Sequence, residues 1–248
     1  MRIDVFFGSA ALTQSDVSGR VVAVIDVLRA STSIAAALQN GARAIVPFET
    51  SEDAVTRSKT LERAEVRLAG ERKMLPIPGF DFGNSPREFT REAVEGKTVL
   101  MTTTNGTATI TAAQGARDVI VASYVNFSAV MSMLRTALRG GTDVAIICAG
   151  RDRQFALEDA GCAGRYASQT AKRLSNVEVN DAGQACMLID KKFGENLQRL
   201  FEASAHGRAL KAAGFGDDLT VCAAVDSIPV IPIYQDRQIT KLGPDRER

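Results

Sequence analysis

The sequence predicts a three-layer α/β/α fold built on a mostly parallel or mixed sheet. Short apolar runs alternate with helical patterns from one end of the chain to the other, and most of those runs are rich in Val and Ile without polar alternation. Strands of that kind are buried on both faces, so helices must cover both sides of the sheet. The chain of 248 residues is long enough for one large α/β domain or two small ones.

In chain order, strands are expected at 3–7, 21–26, 44–48, 66–69, 98–102, 119–122, 144–148 and 230–234. The first run is short and carries Asp4, so it reads as a strand and not as a signal peptide. Helical patterns fall near 31–40, 51–63, 86–94, 106–114, 126–139, 157–174, 181–190, 194–204, 206–213 and 217–225. Residues 1–240 read as a single domain, with the helix-rich 157–225 stretch as a candidate sub-domain. The last residues, 241–248, read as a frayed, solvated tail.

Composition narrows the function classes. A formal net charge of +1 without a basic run argues against neutralisation of many nucleic-acid phosphates. Aromatics are sparse and Trp is absent, which disfavours base-stacking platforms. No apolar segment approaches membrane-spanning length. Cys148, Cys162, Cys186 and Cys222 form no Cys-x-x-Cys pair and read as free thiols of a reducing cytoplasm. The expectation is a cytoplasmic protein with no nucleic-acid or membrane partner; a homodimer is left open.

Segment 97–110 is the most informative. A β-branched strand runs into a turn of hydroxyls plus Asn-Gly, and then into a helix start. Asn-Gly permits a sharp turn. The hydroxyls and the free N–H groups of a helix N-terminus would suit an anion, phosphate above all, with Thr103, Asn105, Gly106 and Thr107 as its holders. A helix merely well capped by Thr explains the same residues.

Ligands of open α/β sheets lie beyond the carboxyl ends of the strands. That rule groups Asp26, Glu71, the 102–107 turn and the Ala149-Gly150-Arg151 segment along one edge. Asp26 ends a buried strand, with Arg29, Ser31 and Thr32 just after it. The arrangement suits Mg²⁺ on Asp26 and an anionic group on Arg29, although a turn residue and a surface cation would read the same way. A phosphatase of the haloacid-dehalogenase kind needs a second Asp two residues on, where this chain has Leu28. Gln154, not Arg, stands six residues after Cys148, so a cysteine-phosphatase loop fails too.

Three further segments carry polar groups in apolar frames. The 76–86 loop holds three prolines and presents Asp81, Asn84 and Ser85, with Ser85-Pro86 suited to start a helix. Glu158 and Asp159 open a helix that is otherwise small and apolar; they either complement its dipole or hold a cation. His206, the only histidine, begins another helix and is suited to donate a proton to a leaving oxygen, to bind an anion, or simply to cap.

Taken together, the chain resembles the 2-phosphosulfolactate phosphatases of coenzyme M biosynthesis. Gly-Phe-Asp-Phe-Gly-Asn-Ser-Pro at 79–86 and Thr-Thr-Asn-Gly-Thr at 103–107 are the specific matches. Segments 26–32, 69–71, 125–126, 148–150, 155–164, 206–210 and 217–219 also follow in the family's order. The resemblance implies a Mg²⁺-dependent hydrolase that removes phosphate from a 2-hydroxy acid ester. One departure is Ala108, where many members carry Arg. On this reading Arg29, Arg151 and Arg208 meet a small polyanionic phosphate ester. Mg²⁺ is expected on Asp26, Glu71 and one of Glu158 or Asp159, and Asp26 is expected to bind the metal without being phosphorylated. Two alternatives remain: a non-catalytic anion or nucleotide sensor, and a phosphatase of another 2-hydroxy acid phosphate.

Overall fold

The computed structural model describes residues 1–152 and 154–243. In chain order the strands are β1 (Arg2–Phe6), β2 (Val21–Ile25), β3 (Ala44–Pro47), β4 (Val66–Arg72), β5 (Leu75–Pro76), β6 (Thr98–Thr102), β7 (Asp118–Ala122), β8 (Val144–Cys148), β9 (Glu178–Val179), β10 (Pro232–Gln235) and β11 (Gln238–Lys241). The α-helices are α1 (Gln14–Val17), α2 (Ala30–Gln39), α3 (Ser51–Ser58), α4 (Arg91–Val94), α5 (Gly106–Ala112), α6 (Phe127–Arg139), α7 (Leu157–Ala171), α8 (Asp181–Phe193), α9 (Leu197–Ala203), α10 (Ala205–Ala212) and α11 (Gly216–Cys222).

The strands form one mixed sheet in the order β5-β4-β6-β3-β11-β10-β7-β2-β8-β1-β9. Alternation sorts each central strand between two cores. Val21, Ala23 and Ile25 of β2 join Val144, Ile146 and Cys148 of β8 in a core closed by α6 and α7–α11. Val22 and Val24 face the other core, with Ile34 and Leu38 of α2 and Ile110 of α5. The sheet therefore lies between two helical layers, as the uninterrupted apolar runs require.

Two parallel sets make up this sheet. In one, β7, β2, β8, β1 and β9 run together; in the other, β3, β6 and β4 do. The β10–β11 hairpin is wedged between the sets, antiparallel to β7 on one side and to β3 on the other. Its second strand is absent from the sequence-based expectation, because Gln-Ile-Thr-Lys is polar and follows a turn without Gly. Lys241 nevertheless pairs with Pro232, and the Leu242 N–H donates to the Ile231 carbonyl at 2.9 Å. The first residue of the expected tail, Lys241, thus ends β11, while 244–248 lie outside the described residues. The helix expected at 86–94 is reduced to α4, capped by Thr90, and the one expected from 51 stops at Ser58.

Residues Ala30–Leu38 of α2 are all buried. A helix enclosed on every side must be thin, and Ala-Ser-Thr-Ser-Ile-Ala-Ala-Ala-Leu supplies mostly small side chains. Four strands separate β6 from β2, a span of about 24 Å in a flat sheet at ~4.8 Å per strand. Only four residues lead from Thr102 to Gly106, a reach of about 14 Å. Yet a Cβ on Gly106 would stand 2.6 Å from both Asp26 Oδ2 and Ala30 Cβ. The sheet therefore curls around α2 until the ends of β6 and β2 meet.

The β10–β11 turn tests how far the wedge matters. Asp236 and Arg237 both have positive φ, 51° and 60°, the conformation of a type I′ hairpin turn that favours Gly at its second position. Arg237→Gly should stabilise the protein by about 1 kcal/mol, less the entropy that Gly loses on folding. Chemical denaturation compared with wild type measures this; a lower midpoint would show that the hairpin turn is not under this constraint.

Candidate active site

A cavity of about 380 Å³ opens at the carboxyl ends of the strands, where Asp26, Glu71, Asn105 and Arg151 converge as the strand-end rule predicts. Asp26 is held by its own loop. Its backbone N–H donates to Ser31 Oγ at 2.9 Å, and Oδ1 accepts from the Ala30 N–H at 3.3 Å. Burial pushes its carboxyl up to about 6, with Glu71 and Glu158 adding to the rise and His206 and the Ala30 N–H opposing it. Gly106 is what lets α5 approach: any side chain there would collide with the carboxylate.

The neighbouring acids divide into two kinds. Asp159 accepts from the Val27 N–H at 2.9 Å and the Gly150 N–H at 3.0 Å, one on each oxygen, and so ties the loops after β2 and β8 together. Burial, with Asp26 and Glu158 close by, holds its carboxyl well above the usual carboxylate range. Glu71 is engaged in the same way, by the Thr104 N–H at 2.7 Å and the Met74 N–H at 2.8 Å. Glu158, by contrast, places Oε1 3.2 Å from His206 Nδ1 and leaves Oε2 buried with no partner. Asn84 also lines the cavity with its amide oxygen buried and unpartnered.

Arg29 is buried and immobilised. It donates to Asp218 Oδ2 at 2.8 Å and to the Met74 carbonyl at 2.9 Å, and its guanidinium lies 4.4 Å above the Phe215 ring. Asp218 in turn accepts from Ser85 Oγ at 2.6 Å. Ser85 therefore acts through Asp218 and starts no helix. Arg151 and Lys73 complete the cationic lining, with Asp152 beside Arg151 at 3.7 Å.

The 102–107 turn behaves differently from the expected phosphate cradle. Thr107 Oγ1 accepts from the Thr103 N–H at 3.2 Å, and Thr103 Oγ1 accepts from the Thr107 N–H at 3.1 Å. These hydroxyls cap the turn reciprocally, and the anion the turn holds is the Glu71 carboxylate. Asn105 remains in the cavity wall, its Oδ1 accepting from the Asp152 N–H at 3.1 Å. Two expected substrate contacts lie elsewhere. Asp81 pairs with Arg63 at 2.5 Å and accepts from the Leu68 N–H, which fastens its loop to β4. Arg208 is exposed and donates to the Glu202 and Ala203 carbonyls at the end of α9. Sequence reasoning assigns no role to Phe215 or Lys73 and touches Asp218 only through the 217–219 match; the local signals are an acid in the first turn of a helix and a Lys in a two-residue turn.

A family model described as 2-phosphosulpholactate phosphatase matches residues 8–237. The chain belongs to that family. It is 40% identical over 227 residues to a protein of Symbiobacterium thermophilum named "Probable 2-phosphosulfolactate phosphatase", covering 92% of this chain and 96% of the relative. A Clostridium beijerinckii protein of the same name is 35% identical over 240 residues, 97% of this chain and 99% of its own length. By family the protein is a phosphoric monoester hydrolase.

Whether Mg²⁺ suits this site turns on the donors. Among the described residues no three His, Cys, Asp or Glu side chains are grouped closely enough to hold a metal by themselves. Mg²⁺ rarely needs that: it keeps several waters and takes one or two carboxylates plus substrate phosphate. Buried Asp26 and the unpartnered Glu158 Oε2 offer those carboxylates, so the residues fit the ion. Glu71 and Asp159 have both oxygens committed to backbone N–H groups.

The buried Asp26 carboxylate makes a stability prediction for protein stripped of metal. Its folded pKa of about 6 lies above the unfolded value near 4, so its contribution is fully present below pH ~4 and is lost as pH rises through 6. Asp26→Asn should therefore melt higher than wild type at pH 7.5, by on the order of 3 kcal/mol, and at a similar temperature at pH 4. Parallel melting curves that differ equally at both pH values would contradict this.

Proposed function

We propose that the protein is a Mg²⁺-dependent phosphatase that hydrolyses 2-phosphosulfolactate to 3-sulfolactate and phosphate. The observation that carries this reading is the Glu158–His206 pair set beside the buried Asp26 in a cavity lined by Arg29, Lys73 and Arg151. Family membership supplies the reaction class and the relatives' names suggest the ester. The substrate bears phosphate, carboxylate and sulfonate, and among the described residues three cationic side chains, Arg29, Lys73 and Arg151, line the wall that would receive it.

With His206 Nδ1 directed at Glu158 Oε1, the ring is oriented so that Nε2 is left to give a proton to the leaving 2-oxygen. Arg29, held by Asp218 and Phe215, presents its remaining N–H groups without reorganisation, the condition under which charge stabilisation is most effective. Asp26 acts as a ligand and not as a nucleophile, since Leu28 stands where the assisting acid would be needed. When bound by Asp26 and Glu158, Mg²⁺ would supply charge neutralisation to the phosphoryl oxygens. A sensor of anions would have no use for a proton donor backed by a buried carboxylate. The four buried cysteines are free, in keeping with a reducing cytoplasm.

Leaving-group dependence tests the role of His206. His206→Ala should lower kcat on 2-phosphosulfolactate by roughly 10²- to 10⁴-fold. On p-nitrophenyl phosphate, whose leaving group needs no proton, the loss should be far smaller. Wild-type activity should vanish with a chelator and return with Mg²⁺. Equal losses on both esters, or full activity without a divalent cation, would refute the respective assignment.

A further inference from the structure

We infer that Lys73, at the tip of the β4–β5 hairpin, binds the substrate's distal sulfonate and sets the preference for sulfonated over unsulfonated 2-hydroxy acid phosphates. The inference rests on the reaction proposed above and assigns a residue that the reaction itself does not require.

The local backbone is the first argument. Arg72 pairs with Leu75, so Lys73 and Met74 form a two-residue turn, and both have positive φ, 50° and 72°. Turns of this kind favour Asn-Gly, and an ordinary side chain at each position is costly. Lys73 and Met74 stand there against local preference, as Asp236 and Arg237 do in the β10–β11 turn, but only this turn lines the cavity.

The turn is also built into the site. The Met74 N–H donates to Glu71 Oε2, and the Met74 carbonyl accepts from Arg29. Through the other oxygen of Glu71 the hairpin is joined to the turn after β6. Lys73 therefore lines the cavity from a tip whose position is fixed relative to Arg29, Thr104 and Asp26.

Charge selects the ligand. Arg29 is neutralised by buried Asp218, and Arg151 has Asp152 at 3.7 Å. Lys73 is exposed and, among the described residues, has no hydrogen bond or ion pair. Among the described residues it is the uncommitted cation of this wall, and its exposure places it at the open side. An ammonium is a compact charge with three rotatable donors, which suits a three-oxygen sulfonate. The planar fork of Arg suits a carboxylate.

The experiment compares 2-phosphosulfolactate with 2-phospholactate, the same ester lacking the sulfonate, on wild type, Lys73→Met, Lys73→Arg and Arg151→Ala. Lys73→Met should raise KM for 2-phosphosulfolactate about ten- to hundredfold with kcat little changed, the size of one lost charge-assisted contact. On 2-phospholactate kcat/KM should stay within about twofold of wild type, and Lys73→Arg should recover most of the loss. Equal loss on both esters, no loss on either, or disappearance of the preference in Arg151→Ala alone would overturn the assignment. Calorimetric titration of 3-sulfolactate and lactate gives a readout independent of turnover: Lys73→Met should weaken the first and leave the second unchanged. Wild type that binds both equally overturns the assignment. Wild type with a Lys73-dependent preference but no phosphate release would retain it and refute the proposed reaction.

Discussion

The short tether from the end of β6 to the start of α5 governs the rest of the molecule. Four residues cannot cross the width of four intervening strands in a flat sheet, yet Gly106 packs against Asp26. The sheet has to curl, and whatever lies inside the curl has to be slender. Helix α2 meets that demand with a run of Ala, Ser and Thr. The hydroxyls it buries are not orphaned: Ser31 accepts from the Asp26 N–H, Thr32 donates to the Val27 carbonyl, and Ser33 donates to the Asn84 carbonyl. The bonds to Asp26 and Asn84 fasten pieces of the cavity wall to the enclosed helix. The same curl gives the C-terminal hairpin its place, since β10 and β11 join two parallel sets that do not pair directly.

Buried charge is the second constraint, and it is distributed unevenly. Asp159 and Glu71 are satisfied by backbone N–H groups and serve to join loops. Arg29 and Asp218 satisfy one another, with Ser85, Phe215 and the Met74 carbonyl completing the shell. Removing one partner of such a pair leaves the other buried and uncompensated, which is far costlier than never having had the pair. Asp26 and Glu158 are the exceptions. One carries a carboxyl raised by burial, the other an oxygen with no partner. A buried polar atom left without a partner calls for a functional reason, and Glu158 Oε2 is one that borders the only histidine.

How much of this was legible depended on whether the signal was local. Asp26 could be read because a charge ending a Val/Ile run is conspicuous by itself. Glu71 and Arg151 followed from the rule that strand ends share an edge. The hydroxyls of the 102–107 turn were conspicuous too, but one pattern serves both a phosphate cradle and a capped helix. The choice depended on the Glu71 carboxylate, which arrives from a different strand. Asp81 and Arg208 looked available in sequence and are occupied in the structure by Arg63 and by helix-end carbonyls. Asp218 lies 189 residues from the arginine it holds. In sequence it is simply an acid in the first turn of a helix, where the dipole alone would justify it.

By itself, then, the sequence determined the layered α/β class, eight of the strands and the edge where polar groups gather. Those features follow from periodicity and from the cost of burying charge, both of which act within a few residues. Tertiary structure decided the wedge of β10 and β11, the curl around α2, and which acids are tied to backbone and which remain open. Long-range pairing sets these. β11 becomes a central strand because a gap between two parallel sets accepts it, not because Gln-Ile-Thr-Lys prefers to be one. A carboxylate becomes a clamp or a candidate ligand according to whether a backbone N–H from another loop reaches it first.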